Sequence, residues 1–151
     1  MVLRRRDIRR LAMQALYQID MARLNGPMPR TEILDRLDAD HDPLEVREAG
    51  TDLALQAWAG HAAADEAIAS LATDWPTHRQ PPVDRAILRL AWHEMTSGCV
   101  PVKVAINEAV ELAKSYCSEQ SPAFINGVLD KLAKALLEPP LNSAAPDPDT
   151  S

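Results

Sequence analysis

Trp75-Pro-Thr-His-Arg-Gln-Pro-Pro82 is the strongest internal break in the chain. Each proline pushes the residue before it out of helical geometry, so no helix runs through this stretch and the chain divides there. Just beyond it, Val83, Ile87, Leu90, Ala91 and Met95 recur at steps of three and four, one face of a helix that stops at Ser97-Gly98. Pro101 then opens a helix whose face is Ile106, Ala109, Val110, Ala113 and Tyr116. Ser121-Pro122 has the form of an N-cap and first position for another, carrying Phe124, Val128, Leu129, Leu132 and Leu136.

Before the break, Ile8, Leu11, Ala12, Ala15, Leu16 and Ile19 predict a helix from about Arg4 to Leu24, ended by Asn25-Gly26-Pro27. Residues 31–37 predict a short helix with Thr31 or Arg30 near its cap, followed by an acidic loop from Asp38 to Pro43. Val46, Gly50, Leu53, Ala57, His61, Ala64, Ile68, Leu71 and Trp75 then trace either one long helix or two separated near Gly60. At an offset of 75, Arg10-Leu-Ala-Met-Gln-Ala-Leu-Tyr17 matches Arg85-Ala-Ile-Leu-Arg-Leu-Ala-Trp92 in pattern, and each opens a set of three helices. The expected architecture is therefore all-α: two packed three-helix bundles, residues 4–75 and 82–138, in one domain over 1–138. The tail, 139–151, has four Pro and little to bury, and is expected to be disordered.

Composition agrees. At 151 residues the chain suits a single core, and 46% hydrophobic with 25% charged residues is ordinary for a globular protein. Six aromatic residues and five Gly favour helix over sheet. No apolar run approaches the roughly 20 residues of a membrane span, and the first 20 residues lack the apolar stretch of a signal peptide, so a cytoplasmic protein with no membrane contact is expected. Cys99 and Cys117 stand 18 apart with no metal-ligand spacing, which indicates free thiols. No metal site and no cofactor is expected. Gly-rich phosphate loops and nucleophile or metalloprotease motifs are absent, which points away from an enzyme. His41, His61, His78 and His93 share no ligand spacing, and Glu108 and Glu111 suit a solvated face with Lys114 as well as a carboxylate pair.

The net charge of −6 conceals an uneven distribution. Residues 1–30 hold seven Arg against Asp7 and Asp20, whereas 31–75 hold Arg36 and Arg47 against eleven acids. Arg4, Arg5, Arg6, Arg9 and Arg10 crowd the first turns of a helix, where the macrodipole disfavours cations by up to about 1 kcal/mol each. Two accounts fit: the arginines grip the phosphates of a nucleic acid, or they pair with the acidic segment 31–75. Single-stranded RNA is typically held by such cations together with aromatic faces for stacking. Phe124, the one Phe, stands beside a helix N-terminus and is either a stacking residue or part of the core; Lys103, in a first turn, is a candidate phosphate contact.

Val100-Pro-Val-Lys-Val-Ala-Ile-Asn-Glu-Ala-Val-Glu-Leu-Ala-Lys114 and Phe124-Ile-Asn-Gly-Val-Leu-Asp-Lys131 closely resemble the NusB family of bacterial transcription antitermination factors. So do Arg9-Arg-Leu-Ala-Met-Gln-Ala-Leu-Tyr-Gln18 and Val83-Asp-Arg-Ala-Ile-Leu-Arg-Leu-Ala-Trp-His-Glu94, and the blocks together span about 4–137. The resemblance implies two three-helix bundles and a protein that pairs with NusE, a small-subunit ribosomal protein, to bind boxA-type single-stranded RNA. That pair joins the RNA polymerase antitermination complex and suppresses termination, notably in ribosomal RNA operons. By position, the resemblance places Arg4, Arg5, Arg6, Arg9, Lys103, Gln120 and Phe124 on the RNA face. Tyr17, Asp20, Asp74, Trp75 and Asp84 become candidates for the partner face, where an acidic flank suits a basic ribosomal protein.

The same resemblance marks Asn107 and Asn126-Gly127 as hallmarks; Asn107 suits a structural role, and Gly127, inside a helix, suggests close helix approach. Asp7, Cys117, Gln120 and Pro122 depart from the family pattern and bear on RNA affinity or sequence preference. The competing readings are a helical RNA-binding module acting with a separate ribosomal RNA methyltransferase, and a homodimeric structural protein that buries its basic face between subunits.

Overall fold

Leu11, Ala12, Ala15 and Leu16 are buried on one side of the first helix, α1 (Arg5–Ala22), in the computed structural model, which describes residues 5–37 and 41–137. The helix closes in a 3-10 turn, Arg23–Asn25, and Gly26 takes φ +100°, a conformation open to glycine and strained for other residues. Next come α2 (Arg30–Arg36) and α3 (Leu44–Ala59), with Pro29 and Pro43 at their N-caps. The long apolar pattern breaks at Gly60, giving α4 (His61–Leu71) as a separate helix. Across the proline stretch, which carries a 3-10 turn at Thr77–Arg79, lies α5 (Pro82–Ser97), ended by Gly98 at φ +73°. The chain continues as α6 (Val102–Tyr116) and α7 (Ser121–Leu137). No strand occurs among the described residues. Arg4, the centre of the acidic loop (38–40) and the tail expected to be disordered (139–151) lie outside them.

Two helical bundles pack together as expected, but their division differs from the proline break. One set is α1, α2 and α3, and another is α5, α6 and α7. Helix α4 precedes the prolines in sequence yet packs chiefly on α5 and α7, burying Ala64 and Ile68. The chain passes from one bundle to the other at Gly60, where an added Cβ would lie 3.2 Å from the Trp92 ring.

Close approach joins α1 to α3. An added Cβ at Gly50 would stand 2.7 Å from the Leu11 Cβ and 3.2 Å from the Ile8 carbonyl, and Ala54 and Ala57 continue the small-residue face of α3. Helix α5 is central: it touches α1, α3, α4, α6 and α7 and is buried on nearly every side from Asp84 to Ala91. Four charged residues, Asp84, Arg85, Arg89 and Glu94, are buried with its apolar ones, and each requires a partner. Two expected core positions turn outward, since Tyr116 and Leu136 are each nearly half exposed.

Candidate nucleic-acid and partner interface

Buried charge fixes how α1 meets α5. Arg9, 7% exposed, donates from its guanidinium to Glu94 at 2.8 Å, and at the opposite end of both helices Arg85 donates to Asp20 at 2.9 and 2.8 Å. The pairing of 9 with 94 and 20 with 85 sets the two helices antiparallel with an ion pair at each end. Burial pushes the Glu94 carboxyl upward while Arg9 pulls it down.

Asp20 is a hub. Its other oxygen accepts from Arg23 at 2.8 Å, and Arg89 approaches at 3.3 Å. Arg89 also forms a two-pronged bond to Asp65 at 2.9 and 2.8 Å and lies 5.1 Å over the Trp58 ring, on which His61 stacks. Arg85 donates further to the Thr77 and Gln80 carbonyls, tying the proline segment to α1.

This geometry corrects three sequence expectations. Arg9 is not a free phosphate ligand as placed, because its cation neutralises Glu94 in the interior. Asp20, 2% exposed, meets the protein's own arginines rather than a partner. Asp84, 3% exposed, accepts from the Ser121 hydroxyl at 2.7 Å, so Ser121 bonds α5 instead of capping α7. Periodicity could not find these roles, since each pair spans 37 to 85 residues of sequence.

The remaining candidates are at the surface. Arg5 is exposed and makes no hydrogen bond or ion pair with any described residue. Arg6, its side chain 77% exposed, reaches Glu108 at 3.4 Å, whereas Arg10 is held by Asp42 at 2.9 and 3.0 Å and by Asp7 at 3.3 Å. Lys103 is exposed on the first turn of α6. Phe124 is half-buried, its ring in an edge contact with Trp75 at 6.2 Å. Trp75, Asp84, Gln120 and Phe124 line one cleft of about 190 Å³ with Pro81 and Ser118. Asp74, Trp75 and Phe124 also line a larger one of about 450 Å³ with Gly127 and Lys131. Tyr17 lies in a separate hollow with Gln18, Met21, Met28 and Arg36. The fold thus brings together Asp74, Trp75, Asp84, Gln120 and Phe124, and gives the N-terminal arginines and Tyr17 their own surfaces.

Gly127 departs from expectation. An added Cβ there meets nothing within 4 Å, so close helix packing does not explain a residue that lowers helix stability by about 1 kcal/mol relative to Ala. Lys131, which the sequence reading did not single out, lines the larger cleft; its signal is the spacing of seven from Phe124, two turns along one helix face. Burial beside Asp84 drives the Cys117 thiol up to about 12, which makes it a poor nucleophile. Among the described residues no group of His, Cys, Asp or Glu could hold a metal ion, and no helix is long and apolar enough to cross a membrane.

Exposed arginines at one helix end and an aromatic cleft give this all-helical domain surfaces suited to contact with another macromolecule. Residues 6–134 match the family described as NusB. The chain is 44% identical over 138 residues to the transcription antitermination protein NusB of Anaeromyxobacter dehalogenans, covering 90% of this chain and 94% of that one. It is 39% identical over 125 residues to the protein of that name from a Thermoanaerobacter species, covering 83% and 86%. Among solved structures, T. maritima NusB superposes with a TM-score of 0.75 at 30% identity, covering 89% of this chain and 93% of that one. A crystal structure of antitermination factors NusB and NusE in complex with dsRNA matches with a TM-score of 0.69 at 26% identity, covering 89% and 99%. The chain belongs to the NusB family.

Proposed function

We propose that this protein is a transcription antitermination factor that binds boxA-type single-stranded RNA together with NusE and suppresses termination by RNA polymerase, notably in ribosomal RNA operons. It acts in the cytoplasm as an adaptor rather than an enzyme. The observation that carries this reading is family membership across nearly all of the described helices, with a solved relative that holds both NusE and RNA. Arg5, Arg6, Lys103, Gln120 and Phe124 supply surface cations and an aromatic face suited to RNA. The partner surface is the hollow around Tyr17 and Met21, 39% and 44% exposed, which Met28 and Arg36 also line. Exposed tyrosine and methionine side chains gathered in one hollow are of the kind that a partner chain covers.

The test is fluorescence anisotropy of a labelled boxA-type RNA titrated with the protein, alone and with NusE, at two salt concentrations. Salt-sensitive binding that is tighter and sequence-selective with NusE supports the proposal. Absence of binding under every condition overturns it and favours a concentration-dependent dimer, which sedimentation detects.

A further inference from the structure

We propose that the groove between residues 71–75 and the face of α7 bearing Phe124, Gly127 and Lys131 is a track for a single RNA strand, with Gly127 the point where the sugar–phosphate backbone lies directly on the helix. The proposal rests on the RNA-binding reading above and extends it along α7, moving Trp75 from the partner face to the RNA face.

Gly127 is the starting observation. It is exposed in the middle of a 17-residue helix, takes ordinary helical geometry and has no neighbour that an added Cβ would strike. Nothing among the described residues explains the missing side chain. A ligand lying against the helix does, because glycine lets another backbone approach closely.

The groove's other residues say what that ligand is. Its volume of about 450 Å³ admits a nucleotide-sized group. Trp75, 43% exposed, and Phe124 meet edge to face and line both this groove and the smaller cleft at Gln120, so a chain passing between the two crosses two aromatic rings. Unstacked bases bind such rings without regard to sequence. Lys131 and Lys134, four and seven positions after Gly127 on the same side of α7, are exposed and unpaired among the described residues, placed for successive phosphates. Asp74, the one carboxylate among the described residues lining the groove, accepts from the exocyclic amino group of a base. An apolar protein segment would use the walls but leave the two lysines without partners.

The experiment uses the full chain and labelled boxA-type RNA extended at both ends, with thermal unfolding measured in parallel. Gly127→Ala is expected to raise the melting temperature by roughly 2–4 °C, since the new methyl is unopposed and alanine favours helix. The same substitution is expected to weaken RNA binding on the order of tenfold, and Gly127→Gln to weaken it further. Lys131→Gln should reduce the salt slope by about 0.7, the value for one single-strand phosphate. Stability gained together with affinity reduced is a pairing that a purely structural glycine does not produce.

Three results overturn the proposal. If Gly127→Ala and Gly127→Gln bind RNA as the wild type does, the groove is not on the RNA path, while the RNA-binding reading stands. If they weaken NusE binding and leave RNA binding unchanged, the groove is a protein site. If the wild type itself fails to bind RNA with or without NusE, both readings fall.

Discussion

Arg5 and Arg9 are four residues apart in one arginine run, yet the fold gives them different work. Arg9→Ala leaves Glu94 buried without its cation and is expected to cost about 3–5 kcal/mol in urea unfolding. Arg5→Ala with Arg6→Ala should leave helicity unchanged by circular dichroism and reduce the salt slope of RNA binding by about 0.7 for each phosphate that is no longer neutralised. Unaltered RNA binding by that double variant removes the arginines from the RNA face. The two thiols divide similarly. Cys99 is exposed, whereas burial beside Asp84 raises the Cys117 thiol from 9.0 to about 12. At pH 8, iodoacetamide should label Cys99 readily and Cys117 only in denaturant, read by mass spectrometry of peptides. The unfolded thiol loses its proton first, so the native state binds more protons between pH 9.0 and about 12. Cys117 therefore subtracts from stability as pH rises through that window.

Helices meet here through small residues and paired charges. At Gly50 two effects oppose: alanine gains about 1 kcal/mol in helix propensity, and a methyl forced against Leu11 and the α1 backbone costs about 1–3 kcal/mol. The neighbour at 2.7 Å is a Cβ, which cannot swing aside as a flexible side-chain tip does, so packing wins. Gly50→Ala should lower the melting temperature, in contrast to Gly127→Ala. Asp20 is expected to be more sensitive still. Asp20→Asn takes the shared anion from Arg23, Arg85 and Arg89 and should cost several kcal/mol, on the scale of a broken buried pair, measured by denaturant midpoint. The helix boundaries were legible because apolar spacing and proline act locally. The membership of α4 in the second bundle was not, because Ala64 and Ile68 show which face is buried and not which helix covers it.

Seen whole, the molecule places a basic helix end beside an acidic segment, and the ion-pair account of the arginines holds for part of them. Arg10 pairs with Asp42, and Arg30 with Asp52 and Glu48, so some of the basic charge is neutralised by residues 31–75. Arg5 and the largely exposed Arg6 keep a surface for a polyanion. With Arg5, Arg6, Lys103, Lys131 and Lys134 as the phosphate ligands, the protein alone should bind single-stranded RNA with a salt slope of roughly −3.5, and NusE should steepen it. A slope near zero in the titration across salt concentrations contradicts a phosphate-gripping surface.

Periodicity, proline placement and four short blocks of sequence were enough to establish an all-helical chain, its helix faces and its family, because each is carried by residues within a few turns of one another. Tertiary structure alone revealed that Arg9, Asp20 and Asp84 are interior partners, that Trp75 meets Phe124, and that Gly127 faces open space. A charged side chain looks the same in sequence whether it awaits a ligand or a counterion dozens of residues away. Only burial and distance separate the two.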